Sequence, residues 1–267
     1  MACAGDGIVS FRRAGGRTDL HRAAARSPLR LFSPRRPGNC AWVISSTLGG
    51  GLLAGDRIRL DVQVAANCSA VLGTQAATKI YRSLDRRAAV QELRGRLEDE
   101  ALLIVAPDPV ACFAGAVYEQ RQRFDLAPTA GLVAIDWITA GRWARGERWE
   151  MSSCRLRTEV FVAGRQSLRD AMRLDGDIAG RMGRFNCWAS VVLVGRRLGG
   201  VVDETLKSIA GDAVEAGADP IFSAGPISGG ALLRIAGGSA ESVLRFLRRR
   251  LPAVAALAGD DPWNRKG

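Results

Sequence analysis

The chain of 267 residues is 47% hydrophobic and 24% charged, proportions that suit a packed protein and argue against a disordered one. No apolar run approaches the roughly 18 residues of a membrane-spanning helix, so a helical membrane anchor is excluded. The formal charge of +11 gathers toward the ends: eight arginines stand against Asp6 and Asp19 in residues 1–40, and six basic groups against three acidic ones in residues 241–267. With only three lysines (Lys79, Lys207, Lys266) and a nearly balanced body, this charge suits an acidic protein partner at least as well as nucleic acid.

Residues 1–10 lack a basic segment followed by an apolar one, so no secretory signal is expected and the cytoplasm is the expected compartment. Short apolar runs with β-branched or aromatic content follow at 8–11 and 41–45, and Gly, Pro, Asp or Asn punctuate most of them. In 57–65 the alternation is strict: Ile58, Leu60, Val62 and Val64 point one way, and Arg57, Arg59, Asp61 and Gln63 the other. That pattern predicts a half-buried strand. Further strands are predicted at 69–72, 102–105, 132–138, 160–162 and 190–194. Two helices come late. In 203–216, Leu206, Ile209, Ala210, Ala213 and Val214 keep helical spacing and Asp203 can cap the amino end; in 239–251, Ser239 is the cap, Val243, Leu247 and Leu251 form a stripe, and Pro252 is the stop. Arg248, Arg249 and Arg250 suit the carboxyl end of that helix, where the dipole favours cations.

Many short strands with no helix between them oppose βαβ units. The expected fold is mainly β, a β-helical, solenoid-like or sandwich arrangement of many short strands with two α-helices in the C-terminal third. No internal repeat is visible, and one domain spanning 1–267 is expected.

Few motifs carry chemistry. Gly49-Gly50-Gly51-Leu52-Leu53-Ala54-Gly55-Asp56 contains a literal G-x-G-x-x-A, but a dinucleotide site needs a helix next, and a strand pattern follows instead. A P-loop would need Lys and Ser or Thr where Asp56 and Arg57 stand. A glycine turn between strands is therefore favoured over a nucleotide-binding enzyme using the Gly49–Gly55 loop. His21 is the sole histidine and lies among arginines without an activated-serine context; no catalytic residue is assigned. The six cysteines, Cys3, Cys40, Cys68, Cys112, Cys154 and Cys187, are too scattered for a zinc set and read as buried thiols.

The glycine run, the alternating strand and then Thr74-Gln75-Ala76-Ala77-Thr78-Lys79-Ile80-Tyr81-Arg82-Ser83 resemble the signature of the UreD/UreH urease accessory family. Arg17-Thr18, Pro28-Leu29, Pro107-Asp108-Pro109, Phe113-Ala114-Gly115-Ala116, Gly141-Arg142, Gly146-Glu147-Arg148-Trp149 and Pro262-Trp263 continue that resemblance in the family's order. Ala54 stands where the family often has Gly, and 170–238 match less distinctively. The resemblance implies a non-catalytic component of metallocentre assembly in the cytoplasm. It further implies a UreF-type helical partner, a UreG-type GTPase that performs any GTP hydrolysis, and docking of all three on apo-urease, with neither nucleic acid nor membrane as partner.

Nickel sites that hold metal tightly use imidazole or thiolate, so no tightly bound cofactor is expected, only transient nickel. Asp56, Asp61, Asp136 and Glu147, which lie in or beside the family-like segments, are the candidate carboxylates of a weak nickel path. Asp56 can alternatively cap its turn, and Asp61 can pair with Arg57 and Arg59. On the second helix Leu244 and Phe246 diverge from the main stripe and are the candidates for outward partner contact.

Overall fold

The computed structural model describes residues 4–212 and 215–263. The chain opens with β1 (Asp6–Ala14), β2 (Arg17–Ala25), β3 (Leu29–Phe32), β4 (Ala41–Thr47), β5 (Arg57–Val64) and β6 (Ser69–Thr74). It continues with β7 (Thr78–Ile80), β8 (Ala89–Leu97), β9 (Leu102–Val105), β10 (Val110–Cys112), β11 (Val117–Leu126) and β12 (Gly131–Thr139). The remainder is β13 (Ser153–Val162), β14 (Arg165–Asp175), α1 (Ile178–Met182), β15 (Cys187–Val194), α2 (Gly199–Ala210), β16 (Ile221–Ile227), β17 (Gly230–Gly237), α3 (Ala240–Arg250) and α4 (Pro252–Ala258).

Two sheets result, with strand orders β14-β13-β11-β8-β5-β1-β2 and β16-β17-β15-β12-β9-β6-β4-β3; β10 pairs with β12 and β7. Their central neighbours are parallel: β5, β8, β11 and β13 in the first sheet and β4, β6, β9 and β12 in the second. Antiparallel pairs such as β1–β2, β13–β14 and β15–β17 close the ends. A parallel return within one sheet normally needs a long crossover. Here the crossover is a strand of the opposite sheet, so the chain winds as a solenoid.

The turns at 65–68, 98–101 and 127–130 make the winding regular. Each closes by the same bond, Cys68 N–H to Ala65 O, Ala101 N–H to Glu98 O and Ala130 N–H to Ala127 O. Each also stacks on the next rung, as Leu102 N–H donates to Cys68 O and Gly131 N–H to Ala101 O. This is a structural repeat without a sequence repeat: backbone bonds impose the period, and the side chains differ from rung to rung.

Burial explains why only some strands alternate. One core lies between the sheets and includes Val43, Leu60, Val62, Leu103, Phe124, Leu132 and Val160. A second lies between the other face of the second sheet and the helices, joining Ile104, Val133, Ile135 and Val191 to Val202, Ile209, Val243, Phe246, Leu247 and Val254. Strands β9 and β12 are therefore covered on both faces and read as apolar runs, whereas β5 has one face in solvent and alternates.

Both expected helices are present, beside two shorter ones. Helix α2 starts at Gly199, earlier than the expected cap Asp203, because the buried positions Val202, Thr205 and Ile209 set its inner face from the first turn. It ends at Ala210, with Gly211 in a turn, rather than at the expected 216; Ala213 and Val214 lie outside the described residues. Helix α3 begins as expected, with the Ser239 side chain accepting from Ser242 N–H at 3.1 Å. Pro252 both ends α3 and opens α4, where its missing N–H costs nothing.

The outward role expected of Phe246 is corrected. Its side chain is 2% exposed and its ring lies 4.6 Å from that of Phe222 on β16, because Val243, Phe246 and Leu247 share the i, i+3, i+4 face turned to the sheet. Leu244 remains half-buried at the outer edge, beside Arg245 and Arg248. Phe246→Asp is accordingly expected to remove the cooperative thermal transition, while Leu244→Asp keeps a melting temperature within a few degrees of the parent, as read by circular dichroism.

Candidate functional site

Inward positions between the sheets should be apolar, and most are. A row of polar side chains breaks the rule. On the first sheet Gln122, Thr158 and Asp170 stand side by side in register on β11, β13 and β14, with Gln120 and Gln91 paired one step away. On the second sheet Asp136, Ser190 and Arg234 form the matching row on β12, β15 and β17. Gln120, Gln122, Asp136, Thr158 and Ser190 are all buried.

The two rows meet across the core. Arg234 Nη2 lies 2.6 Å from Asp170 Oδ1, and the Gln120 side chain hydrogen bonds the Asp136 carboxylate. Tyr118 OH sits 2.5 Å from Gln91 Oε1 and 2.8 Å from Gln120 Oε1. Burial, and after it the nearby Asp136, pushes the Tyr118 hydroxyl well above its ordinary range, so it stays a donor. Gln122 Oε1 is buried without a hydrogen-bond partner. An unmade bond of this kind costs about 1–3 kcal/mol, and the whole polar row is expensive to keep inside a core.

Asp136 is the electrostatic centre. Burial raises its carboxyl pKa, the Gln120 bond opposes the rise, the Asp170 charge adds to it, and the Trp137 N–H opposes it; the net value is about 6. One end of the polar row opens into a cavity of about 370 Å³, lined among others by Ser45, Thr74, Asp108, Gln120, Gln122 and Asp136. The other end reaches the sheet margin at Arg234, whose side chain is 51% exposed. Among the described residues, no group of three or more His, Cys, Asp or Glu side chains is placed to hold a metal ion. The row instead offers one buried carboxylate, a second tied to arginine, and neutral oxygens between them, a set able to attract a cation weakly and release it.

The family model described as UreD urease accessory protein matches residues 4–265. The chain belongs to the UreD urease accessory protein family. Among its relatives, "Urease accessory protein UreD" of Anaeromyxobacter sp. (strain Fw109-5) is 44% identical over 266 residues, covering 98% of this chain and 89% of that protein. "Urease accessory protein D" of Oryza sativa subsp. indica is 31% identical over 294 residues, covering 98% and 96%. The corresponding protein of Arabidopsis thaliana is 32% identical over 290 residues, covering 96% and 99%.

Four of the segments that carry the UreD resemblance meet at the cavity, where Gly50, Ile58 and Leu60, residues 74–79, and Pro107 with Asp108 line its wall. The glycines serve the turn: Gly49 and Gly50 have φ of +85° and +70°, and a Cβ on Gly51 would stand 2.5 Å from Lys79 O. Strand β5 follows the loop, so no helix amino end is present to receive a phosphate, in contrast to a dinucleotide site.

The four expected carboxylates do not come together. Only Asp136 faces the interior. Asp56 caps its own turn, accepting from Leu53 N–H at 2.8 Å. Asp61 lies on the outer face of the first sheet, 3.1 Å from Arg59 Nη2. Glu147 is clasped by Arg142 through Nε at 2.7 Å and through Nη2, and the Arg142 bond, ahead of all else, holds its carboxyl below the usual range. Arg142 itself packs 4.5 Å above the Phe113 ring. Gln120, Gln122, Thr158, Asp170, Ser190 and Arg234 escaped the sequence reading. Their available signal was parity: Gln120 and Gln122 alternate between the inward Tyr118 and Phe124, and Asp136 interrupts the apolar run of β12.

Proposed function

We propose that this UreD-family chain serves urease maturation as a non-catalytic scaffold in the cytoplasm. With a UreF-type helical partner and a UreG-type GTPase it docks on apo-urease, and the polar row between its sheets passes nickel toward the enzyme. GTP hydrolysis stays with the GTPase. The observation that carries this reading is the buried row itself, since a UreD fold could be more stable with apolar side chains there, and interior polarity at a stability cost marks function. A single carboxylate among neutral oxygens suits a passing divalent ion, because each contact is weak enough to leave.

The test compares interior with surface. Gln122→Leu with Ser190→Ala removes two inward oxygens without enlarging either side chain beyond its space. Each lost contact of about 1–3 kcal/mol should slow transfer, so urease activation by the co-expressed complex falls roughly tenfold or more. Asp61→Asn with Glu147→Gln changes only ion-paired groups away from the row; the exposed Arg59–Asp61 pair contributes about 0–1 kcal/mol and the two-pronged Arg142–Glu147 pair more, so activation per recovered complex should stay near the parent. Equal activation by the two double variants at normal complex recovery would refute passage through the row.

A further inference from the structure

We propose that the edge of the solenoid that carries its longest loops is the surface turned to apo-urease, where it fits an apolar pocket rimmed by carboxylates. This rests on the reading of the chain as a scaffold that docks on apo-urease, and it names the docking surface.

The two edges of the winding differ. One carries the tight turns at 65–68, 98–101 and 127–130. The other carries the connections 48–56, 81–88, 113–116 and 140–152. These are stitched rung to rung: Tyr81 N–H donates to Leu52 O, Ser83 N–H to Gly115 O and Gly115 N–H to Glu150 O. Among the described residues the exposed large apolar side chains are Phe32, Leu48, Leu53, Leu84 and Trp143, and all but Phe32 stand on this edge. Leu53 is 60% exposed, Leu84 86% and Trp143 57%. Apolar residues exposed singly need no explanation, but a row of them that includes a tryptophan marks a contact surface.

The tips are held out by fixed loops. Leu53 N–H donates to Asp56 Oδ2 at 2.8 Å. Ser83 Oγ donates to Arg87 O at 3.0 Å and Arg87 N–H to Asp85 Oδ1 at 3.1 Å, which closes the turn on which Leu84 stands. Trp143 opens a single 3-10 turn between Arg142, held by Glu147 and the Phe113 ring, and Gly146, whose φ is +85°. Side chains presented on ordered loops lose little entropy on docking.

Charge selects the occupant. Asp85 and Glu147 are clasped by Arg87 and Arg142 of their own loops, whereas Arg82, Arg86 and Arg145 are exposed and have no ion pair among the described residues. The rim is basic, and its complement is a surface of carboxylates. A second copy of the chain would bring this rim against itself across a two-fold axis. Insertion into a lipid surface would carry Asp56 and Asp85, neighbours of the tips, into a medium of low dielectric. A helical partner packs best on another helix, such as the outer side of α3 at Leu244 and Arg245. Projecting apolar tips fit a concave mouth, the form that enzyme sites take.

The test titrates apo-urease against the chain in complex with its co-expressed helical partner, by biolayer interferometry. Trp143→Ala with Leu84→Ser is expected to weaken the affinity at least about tenfold, a change of about 1.4 kcal/mol, and so is Arg82→Glu with Arg145→Glu. Phe32→Ser, off the edge, should change it less than about twofold. Recovery of the helical partner and the melting temperature should match the parent in every variant, because all of these side chains are exposed. Unchanged affinity in either double variant overturns the proposal and leaves docking itself standing. Loss of the helical partner with apo-urease affinity intact assigns the edge to that partner and also overturns it. So does tip-dependent binding to phosphatidylglycerol vesicles with apo-urease affinity intact. A parent complex that does not bind apo-urease removes the docking reading, and the inference goes with it.

Discussion

Asp136→Asn should make the chain harder to unfold at pH 8 and, in the same variant, a poorer supporter of urease activation. The native pKa of about 6 lies above the ordinary 3.8, so between these values the folded protein holds a proton that the unfolded chain has released. The stabilisation from that proton is fully present below about pH 4 and is lost as the pH rises through 6. At pH 8 the native state carries a buried charge. Two pKa units correspond to about 3 kcal/mol, a net figure that already includes the opposing Gln120 bond and Trp137 N–H. Asparagine keeps the shape without the charge, so a gain of about 1–3 kcal/mol is expected at pH 8, or roughly 5 °C in melting temperature for a chain of this size. At pH 4.5 the gain should shrink toward zero. Thermal melts at the two pH values check the sign; an Asn variant less stable than the parent at pH 8 would mean that the network needs the carboxylate for packing. Activation should fall because the proposed nickel path loses the buried carboxylate of the row that is not paired with arginine.

Phe124→Ala should produce the largest loss of stability in the inter-sheet core. Phe124 is 0% exposed on β11, and its ring fills the space left by Gly95 on β8, where an added Cβ would lie 2.7 Å from Phe124 Cδ1. Truncation of a buried Phe costs about 3–5 kcal/mol, which lowers the melting temperature by roughly 10 °C. The two positions share one space, so they should not add. Gly95→Ala alone is destabilising by overpacking, but in the Phe124→Ala background the new methyl refills part of the gap. The double variant should therefore melt higher than the sum of the singles predicts. A Phe124→Ala loss below about 1 kcal/mol would contradict tight packing here.

The same two residues show what was legible in advance. Phe124 follows Tyr118, Gln120 and Gln122 with period two, so its face could be read from the chain, yet nothing local says that Gly95 is its neighbour. That neighbour is set by the parallel register of β8 and β11. Phe246 is the reverse case: helical spacing predicted α3 and its Ser239 cap, but not the width of the buried stripe. Phe222, distant in the chain, decides that Phe246 faces inward.

By itself, the sequence determined whatever depends on neighbours a few positions apart: the strand of alternating residues at 57–65, the glycine turn before it, the two late helices and the motif order of the UreD family. Tertiary structure alone decided the winding and the site. Whether short strands form a sandwich or a solenoid depends on which strands pair, and the parallel partners β5, β8, β11 and β13 come from separate turns of the chain. The polar row depends on that pairing even more. Gln122, Thr158 and Asp170 lie far apart in sequence and become neighbours only because consecutive rungs hold one register, and Asp136, Ser190 and Arg234 do so across β12, β15 and β17. Each is an ordinary polar residue in its own strand. Their burial together, opposite one another between two sheets, is a property of backbone pairing over long distances, which local spacing cannot encode.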